Sequence, residues 1–152
     1  SPPDVARALD QIGLETCPYS VGFVPPAETA RALRGSAAGV CFMHDSASAV
    51  ARSPAKISEY LAAGLPVVVS AGLGDLDDLI AREQVGVVLR SPSADDVDAA
   101  AARLLELLDR ADIHRRCRAA AQRHFDLTTV GIPGYRNVYR RLRGLQPSAN
   151  LT

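Results

Sequence analysis

The sequence predicts an α/β fold, a parallel sheet with helices on both faces, and three observations carry that expectation. The spacing of the apolar residues switches repeatedly between a strand period and a helix period. The run PVVVS at 66–70 is β-branched, continuous and too short for a helix, and Gly64 before it and Gly72 and Gly74 after it act as breakers. Each strand-like run is followed by a helix-like one, so successive strands are joined by right-handed crossovers and lie parallel.

Each element has its own signal. Residues 3–14 place Val5, Ala8, Leu9 and Ile12 at helical spacing. Residues 20–24 are short and β-rich, and Pro25-Pro26 stops them. A short helix is expected over 27–33, a buried strand over 39–43 and a polar loop over 44–53. Pro54 suits the first turn of a helix that runs to Ala63 and is closed by Gly64. The strand 66–70 follows, then a helix over 75–83 and a strand over 85–89. Ser93 and Asp96 form a capping box for a helix reaching Asp109, with Val97, Leu104, Leu105 and Leu108 on one stripe. Helix continues over Ile113–Phe125. A last helix over 133–143 sets Tyr135, Val138, Tyr139 and Leu142 on one face, where Tyr135 and Tyr139 are expected in the core. Four strands in all are expected, within one domain over residues 1–145 and a frayed tail over 146–152.

Composition narrows the function. A chain of 152 residues that is 47% hydrophobic can bury a core. Its longest run without charge, residues 60–74, is broken by Gly64 and Pro66 and is too short to span a bilayer. The 3 cysteines, Cys17, Cys41 and Cys117, are odd in number and scattered, which fits a reducing cytoplasm and neither a disulfide framework nor a cysteine-type zinc site. The sparse aromatics and the absence of tryptophan argue against stacking of single-stranded nucleic acid. Net charge is zero but segregated, −7 over residues 1–112 and +7 over 113–152. A basic tail of this kind packs against the acidic body, or meets anionic lipid or a neighbouring domain, so a peripheral membrane-surface contact is one expectation. Of 17 basic residues only Lys56 is a lysine.

The candidate chemistry centres on SPAKISEYLAAGLPVVVS, residues 53–70. In a parallel α/β sheet, ligands sit beyond the carboxyl ends of the strands. Here a loop enters a helix whose first amides, those of Ala55 and Lys56, point at whatever stands before it. Those donors and the positive end of the helix dipole favour a phosphate, and Lys56 adds a formal charge. Glu59, one turn further on, can accept two hydroxyls of a ribose or hexose. The competing reading is a lysine and a glutamate on the solvated side of an ordinary amphipathic helix. Asp75-Leu76-Asp77 has the spacing of a metal–diphosphate motif, but at a helix start acids simply complement the dipole. The Gly72-Leu73-Gly74 turn could let a backbone approach a ligand, and His44 lies in a ligand-facing loop, whereas His114 and His124 fall in the arginine-rich helices; no Ser/His/Asp or Cys/His spacing argues nucleophilic catalysis, and no metal site or cofactor is expected.

The same stretch, with VGFVPPAETARAL, GVCFMHD, GLGDLDDLI, VGVVL and GYRNVYRRL in their order, resembles the carboxyl-terminal, donor-binding domain of GT-B fold glycosyltransferases, most like glycosyltransferase family four. The resemblance implies a Rossmann-like sheet that lacks its first strands. It also implies a nucleoside diphosphate-sugar donor, retaining transfer to an acceptor bound by a missing amino-terminal domain, and no nucleic acid. Donor-binding residues would be Glu59, Lys56, Ser53, Ala55, Asp45, Val24 and Pro25, with no catalytic residue assigned. In that family a Glu-x7-Glu pair brackets the loop; Glu59 matches the second, whereas the first falls on Ala51. The basic residues that hold the diphosphate also lie upstream of Ser1, so the chain is expected to be an inactive fragment on its own. A nucleotide-sugar epimerase of the same fold and a non-catalytic interaction module are the rival readings.

Overall fold

The computed structural model describes residues 2–14, 16, 18–43 and 54–144, which fall into two compact units, residues 1–32 and 33–152. The expected loop over 44–53 and the tail over 146–152 lie outside the described residues.

The first unit holds two helices, α1 (Pro2–Gln11) and α2 (Pro26–Ala32). The strand expected over 20–24 does not form: these residues are irregular, and Phe23 is 87% exposed. An apolar alternation with no sheet to cover it has nothing to hold it extended.

Among its described residues the second unit is built on three parallel strands, β1 (Gly39–Cys41), β2 (Val67–Ser70) and β3 (Gly86–Leu89), in that order across the sheet. The register places Val40 opposite Val68 and Val68 opposite Val87. Helices α3 (Ala55–Ala63), α4 (Leu76–Glu83), α5 (Ala94–Leu108) and α6 (Ile113–Phe125) flank the sheet. On one face Val67, Val69 and Val85 pack with Ile57 and Leu61 of α3, Leu79 and Ile80 of α4, and Ile113, Cys117 and Ala120 of α6. On the other, Val68 and Val87 pack against Ala100 of α5. The alternation along β2 that sends Val67 and Val69 one way and Val68 the other is the period-2 geometry of a strand covered on both faces.

Two glycines fix where α3 lies. Gly64 closes the helix in the left-handed conformation, φ 87°, and its amide bonds back to the Leu61 carbonyl at 2.9 Å. Gly39 lets β1 approach α3 closely, since a methyl group there would collide with the Tyr60 ring.

Two apolar stripes differ from expectation. On α5 the buried contacts come from Ala100, Leu104 and Leu107, whereas Val97 and Leu105 face outward. The last helix, α7 (Ile132–Leu142), follows a π-helical turn, Leu127–Gly131, and Tyr135, Val138, Tyr139 and Leu142 are exposed, Leu142 at 77%. The expected core role of Tyr135 and Tyr139 is therefore corrected. Their spacing is amphipathic, but among the described residues no element packs over that face.

Candidate functional site

Helices α3, α4 and α5 follow the parallel strands β1, β2 and β3 in turn, so their N-termini lie toward the carboxyl edge of the sheet. Helix α4 is preceded by Asp75 and carries Asp77 and Asp78 in its first turn; both Asp77 carboxylate oxygens accept from the Gly72 amide at 3.2 Å. Helix α5 is capped by Ser93, whose hydroxyl accepts from the Asp96 amide at 3.3 Å, with Asp95 and Asp96 in its first turn. Both termini are acidic; α5 has a side-chain cap, whereas at α4 the cap residue Asp75 makes none and the Asp77 carboxylate holds the Gly72 amide of the preceding turn. The Asp75-x-Asp77 spacing thus has a structural use, pinning the turn between β2 and α4.

Helix α3 is built differently. Its N-cap is Pro54, extended at φ −65° and ψ 118° and one residue earlier than the sequence suggests, so the cap residue itself offers no side-chain acceptor. The Ile57 amide bonds to the Pro54 carbonyl at 3.0 Å. No described group accepts from the amides of Ala55 or Lys56. The first turn holds no acid, and Lys56 is exposed. The helix is anchored by Ile57 and Leu61, both fully buried, so its outward face is held in a fixed orientation.

Lys56 and Glu59 are three residues apart and share one face of α3, about 4.5 Å along the axis. Both are exposed. Glu59 also lines a hollow of about 340 Å³ between α3 and α6, with Ser58, Arg118, Gln122 and Phe125. Val24 and Pro25 belong to the first unit, where both are exposed. Ser53, Asp45, Ala51 and His44 lie outside the described residues.

A larger hollow, about 660 Å³, opens at the strand ends, between Met43 after β1, Ser70 at the end of β2 and Gly72 beyond it, and Arg90 and Ser91 after β3. The Met43 amide donates to Ser70 Oγ at 3.0 Å and ties the ends of β1 and β2 together. Ser70 and Arg90 carry no sequence signal of their own. Nor do Gln122 and Arg118, because they meet Glu59 only across the packed pair α3 and α6.

The remaining charges support structure. Glu83, at the end of α4, accepts from Arg123 and pairs with His124 Nε2 at 2.8 Å; Arg123, then His124, hold its carboxyl below the usual range. Arg116 donates to the Glu83 carbonyl at 2.8 Å, and His114 Nδ1 meets the Gly64 carbonyl at 2.8 Å. Part of the basic tail does pack against the acidic body. Burial pushes the Cys117 thiol up to about 11, so it behaves as core.

The profile of the glucosyltransferase 3-like, C-terminal domain family matches residues 21–123, well over half of the chain. The chain belongs to that family. Among solved structures it is similar to a sucrose-phosphate synthase from Thermosynechococcus elongatus, with a TM-score of 0.67 at 19% identity. The match covers 95% of this chain and 35% of that one. At that identity the likeness speaks for the fold, a GT-B type α/β domain. No curated protein matches. In this chain the block PAKISEYLAAGLPVVVS, inside the matched range, supplies α3, its glycine cap and β2.

Proposed function

We propose that this domain is the nucleotide-sugar-binding part of a glycosyltransferase most like family four, passing a sugar from a nucleoside diphosphate-sugar to an acceptor with retention of configuration. The observation that carries the reading is the N-terminus of α3: free of acids in its first turn, flanked by Lys56, and without a side-chain cap among the described residues. The amides of Ala55 and Lys56 and the Lys56 ammonium would stabilise the negative charge that develops on the leaving diphosphate, which is electrostatic catalysis by groups already in place. Glu59 would accept hydroxyls of the donor and orient it, and no general-base role is assigned to it. Ser53, Asp45, Val24 and Pro25 belong to the same reading on sequence grounds. No metal is required by it.

The acceptor would be held by an amino-terminal domain, and residues 1–152 alone would not turn over a nucleotide sugar. The exposed face of α7 supports a surface contact. Its apolar stripe suits that acceptor domain, and Arg136, Arg140 and Arg141, which pair with no described carboxylate, suit an anionic membrane surface at the helix rim.

Calorimetric titration of the chain with UDP-glucose, ADP-glucose and GDP-mannose tests the site. The expected result is saturable binding to at least one, weakened by Lys56→Ala and by Glu59→Gln without loss of the folded state. Equal affinity in both variants would remove the assignment.

A further inference from the structure

The hollow between α3 and α6 carries a mixture of groups that neither an anion nor an apolar ligand would want. Glu59 contributes a carboxylate, Gln122 a carboxamide, Arg118 a guanidinium and Phe125 a ring edge. Its volume, about 340 Å³, is at the lower end of small-molecule sites, which run from about 300 to 1,000 Å³. Nearby polar groups are already committed. Ser58 Oγ donates to the Ala55 carbonyl at 2.7 Å, and Asp126 Oδ1 accepts from the Thr129 amide at 2.7 Å and from its hydroxyl at 3.0 Å. Gln122 has no hydrogen-bond partner among the described residues, and Arg118 reaches the Ala63 carbonyl only at 3.5 Å. Glu59, Gln122 and Arg118 are therefore the groups left to bind something.

A sugar diol fits that set. Each hydroxyl has one proton to give and lone pairs to receive. Glu59 can only accept, Arg118 can only donate, and Gln122 can do either. Two carboxylates on the rim, Glu59 and Asp126, disfavour a phosphate inside the hollow. They direct it toward Lys56, one turn earlier on α3, a separation comparable with the reach from a ribose ring to its own 5′-phosphate.

We propose that Gln122, assisted by Arg118, is the second arm of a ribose-binding subsite whose first arm is Glu59. The proposal rests on the reading that Glu59 faces the nucleotide. In it α6 supplies specificity for a ribonucleotide: the 2′-hydroxyl donates to Glu59 and accepts from the Gln122 amide.

The test is titration of the full chain with UDP, ADP and GDP and with their 2′-deoxy counterparts, followed by calorimetry and by the Gln122 side-chain amide resonance. The wild-type chain is expected to prefer the ribonucleotide by about three- to tenfold, the worth of one or two net hydrogen bonds. Gln122→Ala and Gln122→Glu should each remove most of that preference and leave inorganic pyrophosphate binding unchanged. The Gln122 amide signal should move with the ribonucleotide and stay in place with the deoxynucleotide. If the preference survives both Gln122 variants, or is absent in the wild type, while Lys56→Ala still weakens nucleotide binding, the ribose subsite is overturned and the donor reading stands. If the wild-type chain binds none of the six nucleotides, both fall.

Discussion

The N-termini of α3 and α4 lie on the same edge of the same sheet, yet they are finished in opposite ways. Helix α4 has Asp75 before it, Asp77 and Asp78 in its first turn, and a bond from the Gly72 amide that takes up both Asp77 oxygens. Its far end is tied by Glu83 to Arg123 and His124. Helix α3 has a proline at its start, no acid in its first turn, and the chain's lone lysine beside amides that no described group takes up. Neither cap residue gives its helix a side-chain bond, so charge separates the two starts: the acids of α4 repel an anion, and the lysine of α3 attracts one. A parallel sheet offers several such termini, and the side chains of the first turn decide which of them can bind.

The largest effect expected is on the anchoring of α3. Leu61→Ala empties a fully buried position and should cost about 2–5 kcal/mol of stability. Urea denaturation measures it, and a loss below about 1 kcal/mol would mean that α3 is not held as described. Leu76→Ala at the start of α4 should destabilise similarly, while nucleotide affinity of the folded fraction persists.

Lys56→Glu sharpens the comparison directly. It should lower nucleoside diphosphate affinity at least about tenfold, the equivalent of about 1.4 kcal/mol, with stability unchanged to within about 0.5 kcal/mol because the side chain is exposed. Asp77→Asn is the counterpart. Weakening the bond from Gly72 should cost about 1 kcal/mol of stability and leave affinity alone. A loss of affinity in Asp77→Asn with no change in stability would reverse the roles assigned to the two helices.

Acid should loosen the far end of α4. The Glu83 carboxyl is held below its ordinary 4.5 by Arg123 and then His124, so its contribution is fully present above pH 4.5 and lost as pH falls through the lower folded value. Melting curves from pH 6 to pH 3 should show a smaller decline for Glu83→Gln than for the wild-type chain. The smallest effect concerns metal. Chelator or added Mg²⁺ should leave nucleotide affinity unaltered, since the Asp77 carboxylate is engaged with the Gly72 amide.

Where local chemistry and packing agree, the elements were legible in advance. Gly64 ends α3, Ser93 caps α5, and the β-branched run makes β2. Elements that need a partner misled. Residues 20–24 have a strand pattern but no covering sheet, and the stripe on α7 has helical period but no surface against it. On α5 the leucines and Val97 drew attention away from Ala100, although close packing against Val68 and Val87 rewards a small residue there. The site divides in the same way. Lys56 and Glu59 could be picked out because one helix turn places them together, whereas Gln122 joins Glu59 only through the packing of α6 on α3.

The central claim, that α3 and not α4 or α5 receives the phosphates, is tested most directly by following backbone amide resonances of the ¹⁵N-labelled chain during titration with inorganic pyrophosphate and then UDP, ADP and GDP. The account predicts saturable shifts at Ala55 and Lys56, larger with a nucleotide than with pyrophosphate, abolished by Lys56→Glu, and little movement at Leu76–Asp78 or at Asp95 and Asp96. Shifts centred on the starts of α4 or α5, or none at Ala55 and Lys56 at saturating ligand, would contradict it.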